Sequence, residues 1–223
     1  MQLQEHLNQE QLKAAAHVEG PMLVIAGAGS GKTRIVTYRI ANLIDLGVPS
    51  TEILAVTFTN KAADEMRLRI QKLSQKAILA CTFHSLGARI LRESISSLGY
   101  KNHFAIFDAD DSEKVLKECL AERHIKDEKG TLKSMRLGIS HAKNHMENPD
   151  DELLADIYQL YQKKLQSYNA LDFDDLLFLT VKLFQQEPEI LEKYQKMWNF
   201  ILVDEYQDTN QAQYNLLKLL SAR

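Results

Sequence analysis

The sequence predicts an α/β fold in which a parallel sheet is interrupted by a mostly helical segment. Three observations predict it. Short apolar runs alternate with amphipathic helical stretches over the first hundred of the 223 residues, as in a parallel sheet with crossover helices. From about Asp108 to Met197 the pattern turns helical and charged. Phe200-Ile201-Leu202-Val203 then returns as an apolar run ending in Asp204-Glu205.

Each element has its own signal. Met22-Leu23-Val24-Ile25-Ala26 is an apolar run ending at glycines, which predicts a buried strand. From Thr33 to Leu46, Ile35, Val36, Ile40, Leu43 and Ile44 recur at helical spacing, and Gly47 and Pro49 close the helix. Ile53 to Phe58 predicts a second strand. Asn60 is the expected cap of the next helix, where Ala62, Ala63, Met66 and Ile70 share a face. Ala77 to Phe83 predicts a third strand, followed by a helix from about Ser85 to Ser97. The middle predicts helices over Asp110–Arg123, Leu132–His145, Asp151–Ser167 and Asp172–Gln185, and the chain closes on a helix over Gln211–Leu220. Insertion of the helical segment is preferred to two consecutive domains, because the acidic strand end belongs beside the loop after the first strand. The expected boundaries are 1–88 and 199–223 for the sheet domain and 89–198 for the helical subdomain.

Composition narrows the function less than the motifs do. With 45% hydrophobic and 26% charged residues, the chain matches a globular protein that buries a core without staples. Cys81 and Cys119 lie far apart without metal-ligand spacing, so two buried thiols in a reducing compartment are expected. The first residues are polar and acidic, unlike a signal peptide, and the apolar runs fall short of the ~20 residues of a membrane span. A cytoplasmic protein without a membrane partner is expected. A net charge of -3 does not mark a nucleic-acid binder, so any such role must rest on local sites.

Ala26-Gly27-Ala28-Gly29-Ser30-Gly31-Lys32-Thr33-Arg34 follows a strand signal and precedes a helix signal. That context suits a phosphate loop, whose backbone N–H groups wrap a polyphosphate at a helix N-terminus. Ala26 stands where the pattern has its first glycine, at the strand end. Lys32 would reach the β and γ phosphates, and the Thr33 hydroxyl would ligate Mg²⁺. Asp204 would hold the same ion, directly or through water. Glu205 would orient and deprotonate the attacking water. An acidic pair of this kind favours an ATPase over a small-molecule kinase.

Six segments in order, LNQEQ at 7–11, AGAGSGKTR at 26–34, TFTNKAADEM at 57–66, TFHSL at 82–86, LDFDDLL at 171–177 and VDEYQDTN at 203–210, resemble those of a superfamily 1 DNA helicase of the UvrD/Rep/PcrA type. The resemblance covers essentially the whole chain. It implies a RecA-like P-loop NTPase sheet carrying an inserted mostly helical subdomain, ATP and Mg²⁺ as ligands, and single-stranded DNA and single-strand/duplex junctions as partners, with repair or replication proteins besides. Gln11 is implied to contact the adenine edge, a task suited to an amide that donates and accepts. Gly27 to Thr33 are implied to hold the phosphates, with Arg34 at a phosphate or a neighbouring acid. Thr57, Phe58, Thr59, Asn60 and Lys61, then Thr82, Phe83 and His84, are implied to contact single-stranded DNA; Phe58 could equally be a core aromatic. Gln207 is implied to couple the nucleotide site to DNA, while Asp208 is expected to cap the final helix.

The helical segment adds one charge signal. Gly130 to Met146 holds Lys133, Arg136, His141, Lys143 and His145 without an acid, which is either a DNA-facing basic surface or a solvated helix. In LDFDDLL, Phe173, Leu176 and Leu177 are expected to pack, with the acids favouring a helix N-terminus. The sequence ends at Arg223, 18 residues after Glu205. The resemblance therefore implies the N-terminal portion of an ATP-dependent 3′-to-5′ helicase or translocase, weakly active on its own because a second motor domain is absent. Two alternatives stand beside it: a non-catalytic DNA- or partner-binding module retaining the fold, and the motor arm of a helicase–nuclease recombination complex.

Overall fold

The computed structural model describes residues 3–27, 29–126 and 130–222. Its main sheet has three parallel strands in the order β2-β1-β5. The central strand β1 (Ile53–Thr57) is buried along its whole length, as expected for an unbroken apolar run covered on both faces. It pairs with β2 (Leu79–Thr82), Ala55 opposite Ala80, and with β5 (Phe200–Val203), Ala55 opposite Leu202. Two helices cover the sheet, α2 (Lys32–Asp45) and α3 (Asn60–Ser74). Ile40 and Leu43 from α2 and Met66 and Ile70 from α3 join Ile53, Ala55, Ala80 and Leu202 in one apolar core. A further helix, α1 (Gln9–Ala16), is tied to α2 by Arg39, which donates to the Ala14 and His17 carbonyls.

Three expectations are corrected here. Met22 to Ala26 forms no strand, and Leu23 and Ile25 are 66% and 90% exposed. Apolarity predicts burial, but a strand also needs an edge to pair with, and this run forms no ladder with the described strands. The cap of α3 is Thr59, whose hydroxyl accepts from the Ala62 amide at 3.1 Å, so Asn60 is instead the first helical residue. The final helix, α10 (Gln211–Ser221), is capped by Asn210, not by Asp208. Asn210 and Gln213 exchange side-chain and backbone bonds in a capping box.

By its contacts the chain divides into two compact units, Met1–Phe83 with Lys193–Asp208, and His84–Glu192 with Thr209–Arg223. The second is helical: α4 (Phe83–Ser94) enters it, followed by α5 (Ala109–Glu122), α6 (Thr131–His145), α7 (Glu152–Ser167) and α8 (Asp175–Gln186). Helix α9 (Pro188–Met197) leads out of it. Helix α10, grouped by sequence with the sheet domain, packs on α8 and α6. Val115, Leu116, Cys119, Ile139, Ile157 and Leu165 lie in the core of this unit. A two-residue parallel ladder, β3 (Ala105–Ile106) with β4 (Ala170–Leu171), had no sequence signal of its own.

Candidate nucleotide site and single-strand DNA interface

The nucleotide site grows from the start of α2. Gly31 caps that helix with φ +88°, a left-handed conformation that costs glycine nothing, and a Cβ there would meet Gln11 Nε2 at 3.0 Å. Ser30 folds the loop inward, its hydroxyl donating to the Gly27 carbonyl at 2.7 Å. Lys32 Nζ donates to the Ala26 carbonyl at 3.4 Å, so its ammonium curls over the loop. Ala28 lies outside the described residues.

The acidic partner arrives on β5. The Asp204 amide extends the ladder to the Val56 carbonyl, and its side chain is buried. Thr33 Oγ1 donates to Asp204 Oδ2 at 2.7 Å, which brings together the two residues predicted to share a metal. A hydroxyl and a carboxylate are hard oxygen donors, the chemistry Mg²⁺ accepts alongside water and phosphate oxygens, so the residues fit that ion. Glu205 turns the chain out of β5 with φ +55°, a strained value for a side-chain-bearing residue. The turn is held by Asp208, whose amide donates to the Glu205 carbonyl at 3.0 Å, and by Gln207. The Gln207 side-chain amide donates to Glu205 Oε2 and, at 3.3 Å, to Asp208 Oδ2.

Gln11 is more occupied than the sequence suggests. Its carbonyl accepts from the Asn8 amide at 3.1 Å in a capping box on α1, and its Nε2 donates to the Ser30 carbonyl at 2.9 Å. The signal for that box, asparagine followed three residues later by glutamine, is present at Asn8. Arg34 reaches across to the start of the chain. Its guanidinium donates to the His6 carbonyl at 2.6 Å and lies over the Tyr38 ring. Between α1, the 22–26 run and the loop lies a cleft of about 430 Å³ with Asn8, Gln11, Leu23, Ile25 and Ile35 on its walls.

The segments expected to contact DNA sort by exposure. In the first unit Thr57, Thr82 and Phe83 are buried, while Thr59, Asn60 and Lys61 are exposed. Phe58 is half-buried and tilts against Phe83 at 5.4 Å between ring centroids. In the second unit His84 stacks on Phe173, with centroids 3.9 Å apart and rings 20° from parallel. Phe173, expected to pack, is instead 57% exposed, while Leu176 and Leu177 are buried. Burial holds the His84 imidazole below its usual basicity, partly offset by the Asp174 carboxylate.

The basic stretch on α6 also needs correction. Lys133, Arg136, His141 and His145 are exposed, and the two histidine rings stack at 3.8 Å. Lys143 is wholly buried, its ammonium 2.7 Å from Asp172 Oδ2 and 2.8 Å from Asp175 Oδ1. Burial works against that charge, but the two carboxylates outweigh it and hold Lys143 above its ordinary range.

A glycine-bent loop at a helix start, with an acid from a parallel strand bonded to the residue after its lysine, defines a phosphate-loop nucleotide-binding protein. Residues 7–223 match the family model of the UvrD/REP helicase N-terminal domain, and the chain belongs to that family. It is 44% identical over 235 aligned positions to the ATP-dependent DNA helicase PcrA of Staphylococcus aureus, covering 99% of this chain and 32% of that protein. The helicase of the same name from Staphylococcus epidermidis is 44% identical over 234 positions, with 98% and 32% covered. The chain thus spans about a third of the length of the curated relatives it matches. No helix among the described residues is long and apolar enough to cross a membrane.

Proposed function

We propose that these 223 residues form the ATP-binding and single-stranded-DNA-binding portion of an ATP-dependent DNA helicase. The observation that carries this is the Thr33–Asp204 bond, which joins the phosphate loop to the acidic strand end. In this reading the loop amides from Gly27 to Thr33 and the Lys32 ammonium hold the triphosphate. Mg²⁺, held by Thr33 and Asp204, would neutralise charge developing on the phosphate oxygens. Glu205 takes the proton of the attacking water, and Gln207 fixes its carboxylate. Gln11 serves adenine after exchanging its Ser30 bond for the base edge. Arg34, just after the loop, ties α2 to the start of the chain through His6 and Tyr38.

Exposed Thr59, Asn60 and Lys61 meet the DNA backbone, and Phe58 offers a ring edge above buried Thr57, Thr82 and Phe83. His84 and Phe173 form a base-stacking platform, a role the sequence did not assign to Phe173. The sheet is RecA-like, with a helical subdomain inserted within residues 89–198 and the sheet domain returning from 199 through the acidic strand end, while α10 goes with the helical unit. The whole protein moves 3′-to-5′ on single strands and acts at junctions in repair or replication, in the cytoplasm.

The chain alone turns ATP over slowly, since the 22–26 run leaves the loop braced mainly from its helix side. That same feature favours a second reading, a module that binds nucleotide and DNA without hydrolysis. Steady-state ATP hydrolysis by the chain, with and without oligo(dT), tests the two. Slow turnover that oligo(dT) raises little and that disappears in Lys32→Ala is expected. No turnover beyond that variant, with binding intact, establishes the second reading.

A further inference from the structure

Three aspartates surround Phe173, and consecutive residues of α6 hold all of them. Lys143 bonds Asp172 and Asp175. Asn144 Nδ2 donates to Asp174 Oδ1 at 3.0 Å and to the Ser140 carbonyl at 2.9 Å. Asn144 is itself fixed, because Asn210 Nδ2 donates to its Oδ1 at 2.7 Å. Asn210 cannot drift, since it caps α10 through Gln213. Of residues 172–175, only Phe173 projects into solvent, against His84.

The two grips differ in kind. The Lys143 cluster is a buried ion network whose loss unfolds its surroundings. The Asn144 bond is neutral-to-charged, half-buried, and placed one residue after the exposed ring. An amide has two N–H donors and a carbonyl acceptor; here Asp174 and Ser140 take the donors and Asn210 supplies the acceptor's partner. Such saturation leaves one orientation for Asp174, and through the shared backbone it narrows the directions open to Phe173.

We propose that Asn144 is a positioning residue for single-stranded DNA, holding Asp174 so that Phe173 stays stacked on His84 and open to a base. The proposal rests on the reading of His84 and Phe173 as a stacking platform. It makes no use of the exposed basic residues of α6.

The test is titration of the chain with an oligodeoxynucleotide carrying 2-aminopurine, whose fluorescence falls when it stacks. Wild type is expected to quench it, and Phe173→Ala to lose the quenching. Asn144→Ala should bind about 5–10-fold more weakly, the scale of one ordinary net hydrogen bond, with reduced quenching at saturation and unchanged affinity for a fluorescent ATP analogue. Asp174→Ala removes the same bond from its other end and should reduce quenching to a similar degree. If Phe173→Ala loses quenching while Asn144→Ala keeps it, the positioning role is wrong and the platform stands. If Asn144→Ala loses quenching but Asp174→Ala keeps it, the bond is not what positions the ring. Absence of quenching by wild type overturns the platform and this proposal with it.

Discussion

Thr33 and Asp204 lie 171 positions apart in the sequence, yet their side chains share a 2.7 Å hydrogen bond. The bond joins the helix after the phosphate loop to the tip of β5, and nothing in either local sequence requires it. It follows from parallel pairing of β5 with β1, which delivers Asp204 to the C-terminal edge of the sheet where α/β folds bind ligands.

Asp204→Ala should therefore weaken Mg²⁺-dependent nucleotide binding by about 1.5–3 kcal/mol, the range for hydrogen bonds to charged groups. Binding in EDTA should change little. Calorimetric titration of wild type and variant in both conditions measures the difference.

The buried cluster predicts an unusual pH dependence. Asp175, buried beside the Asp172 charge, is pushed up to about 7. Asp172 goes the other way: burial opposes its charge, but the Lys143 ammonium, the Tyr161 hydroxyl and the Asp175 amide hold it ionised and low. One cation serves two carboxyls, and Asp175 yields although it also accepts from Gln162 Nε2 and the Asp172 amide, because it is the more deeply buried of the two. A raised folded value means that Asp175 contributes most stability below its unfolded value and loses it as pH rises toward 7. The slope is at most about 1.4 kcal/mol per pH unit. Asp175→Asn should flatten the thermal midpoint between pH 4 and 7, measured by circular dichroism.

Lys143→Met should cost about 3–5 kcal/mol, because it strands two buried carboxylates. Chemical denaturation at pH 7 checks it. A loss under 1 kcal/mol would mean that the ammonium is not their counter-charge.

Gly87 sits where α4 meets α8, and a Cβ there would lie 2.1 Å from the Leu176 carbonyl oxygen. Backbone cannot yield as a side-chain tip can. Gly87→Ala should destabilise the helical unit by about 1–3 kcal/mol, seen as a lower denaturation midpoint. A neutral outcome would show that α4 and α8 are further apart.

His84 is held below its ordinary basicity by burial, so it should be neutral at pH 7. Binding of oligo(dT) should be level from pH 7 to 8 and tighten below pH 6 as the ring gains charge near phosphate. His84→Gln should remove the acid-side gain, as fluorescence anisotropy across pH would show.

Strands β1, β2 and β5 were legible because their apolar runs are short, buried and bounded by polar residues. The loop and its acidic partner were legible because phosphate chemistry needs those residue types. Periodicity could not say whether the 22–26 run would find an edge to pair with, and it formed none. Lys143 was misread as surface charge because its counter-ions lie far along the chain, in the turn after β4 and at the first residue of α8, 29 and 32 residues on. The same cluster misplaced Phe173: when flanking acids turn inward, the aromatic between them turns out. Caps slipped by one or two residues, since Thr59 against Asn60, or Asp208 against Asn210, are nearly equal candidates locally.

Titration of the chain with a fluorescent ATP analogue in Mg²⁺ tests the central claim most directly, with Lys32→Ala and Asp204→Ala alongside. Saturable binding that drops at least tenfold in each variant is the predicted result. Equal affinity in all three would contradict a nucleotide site built from the 26–34 loop and the tip of β5.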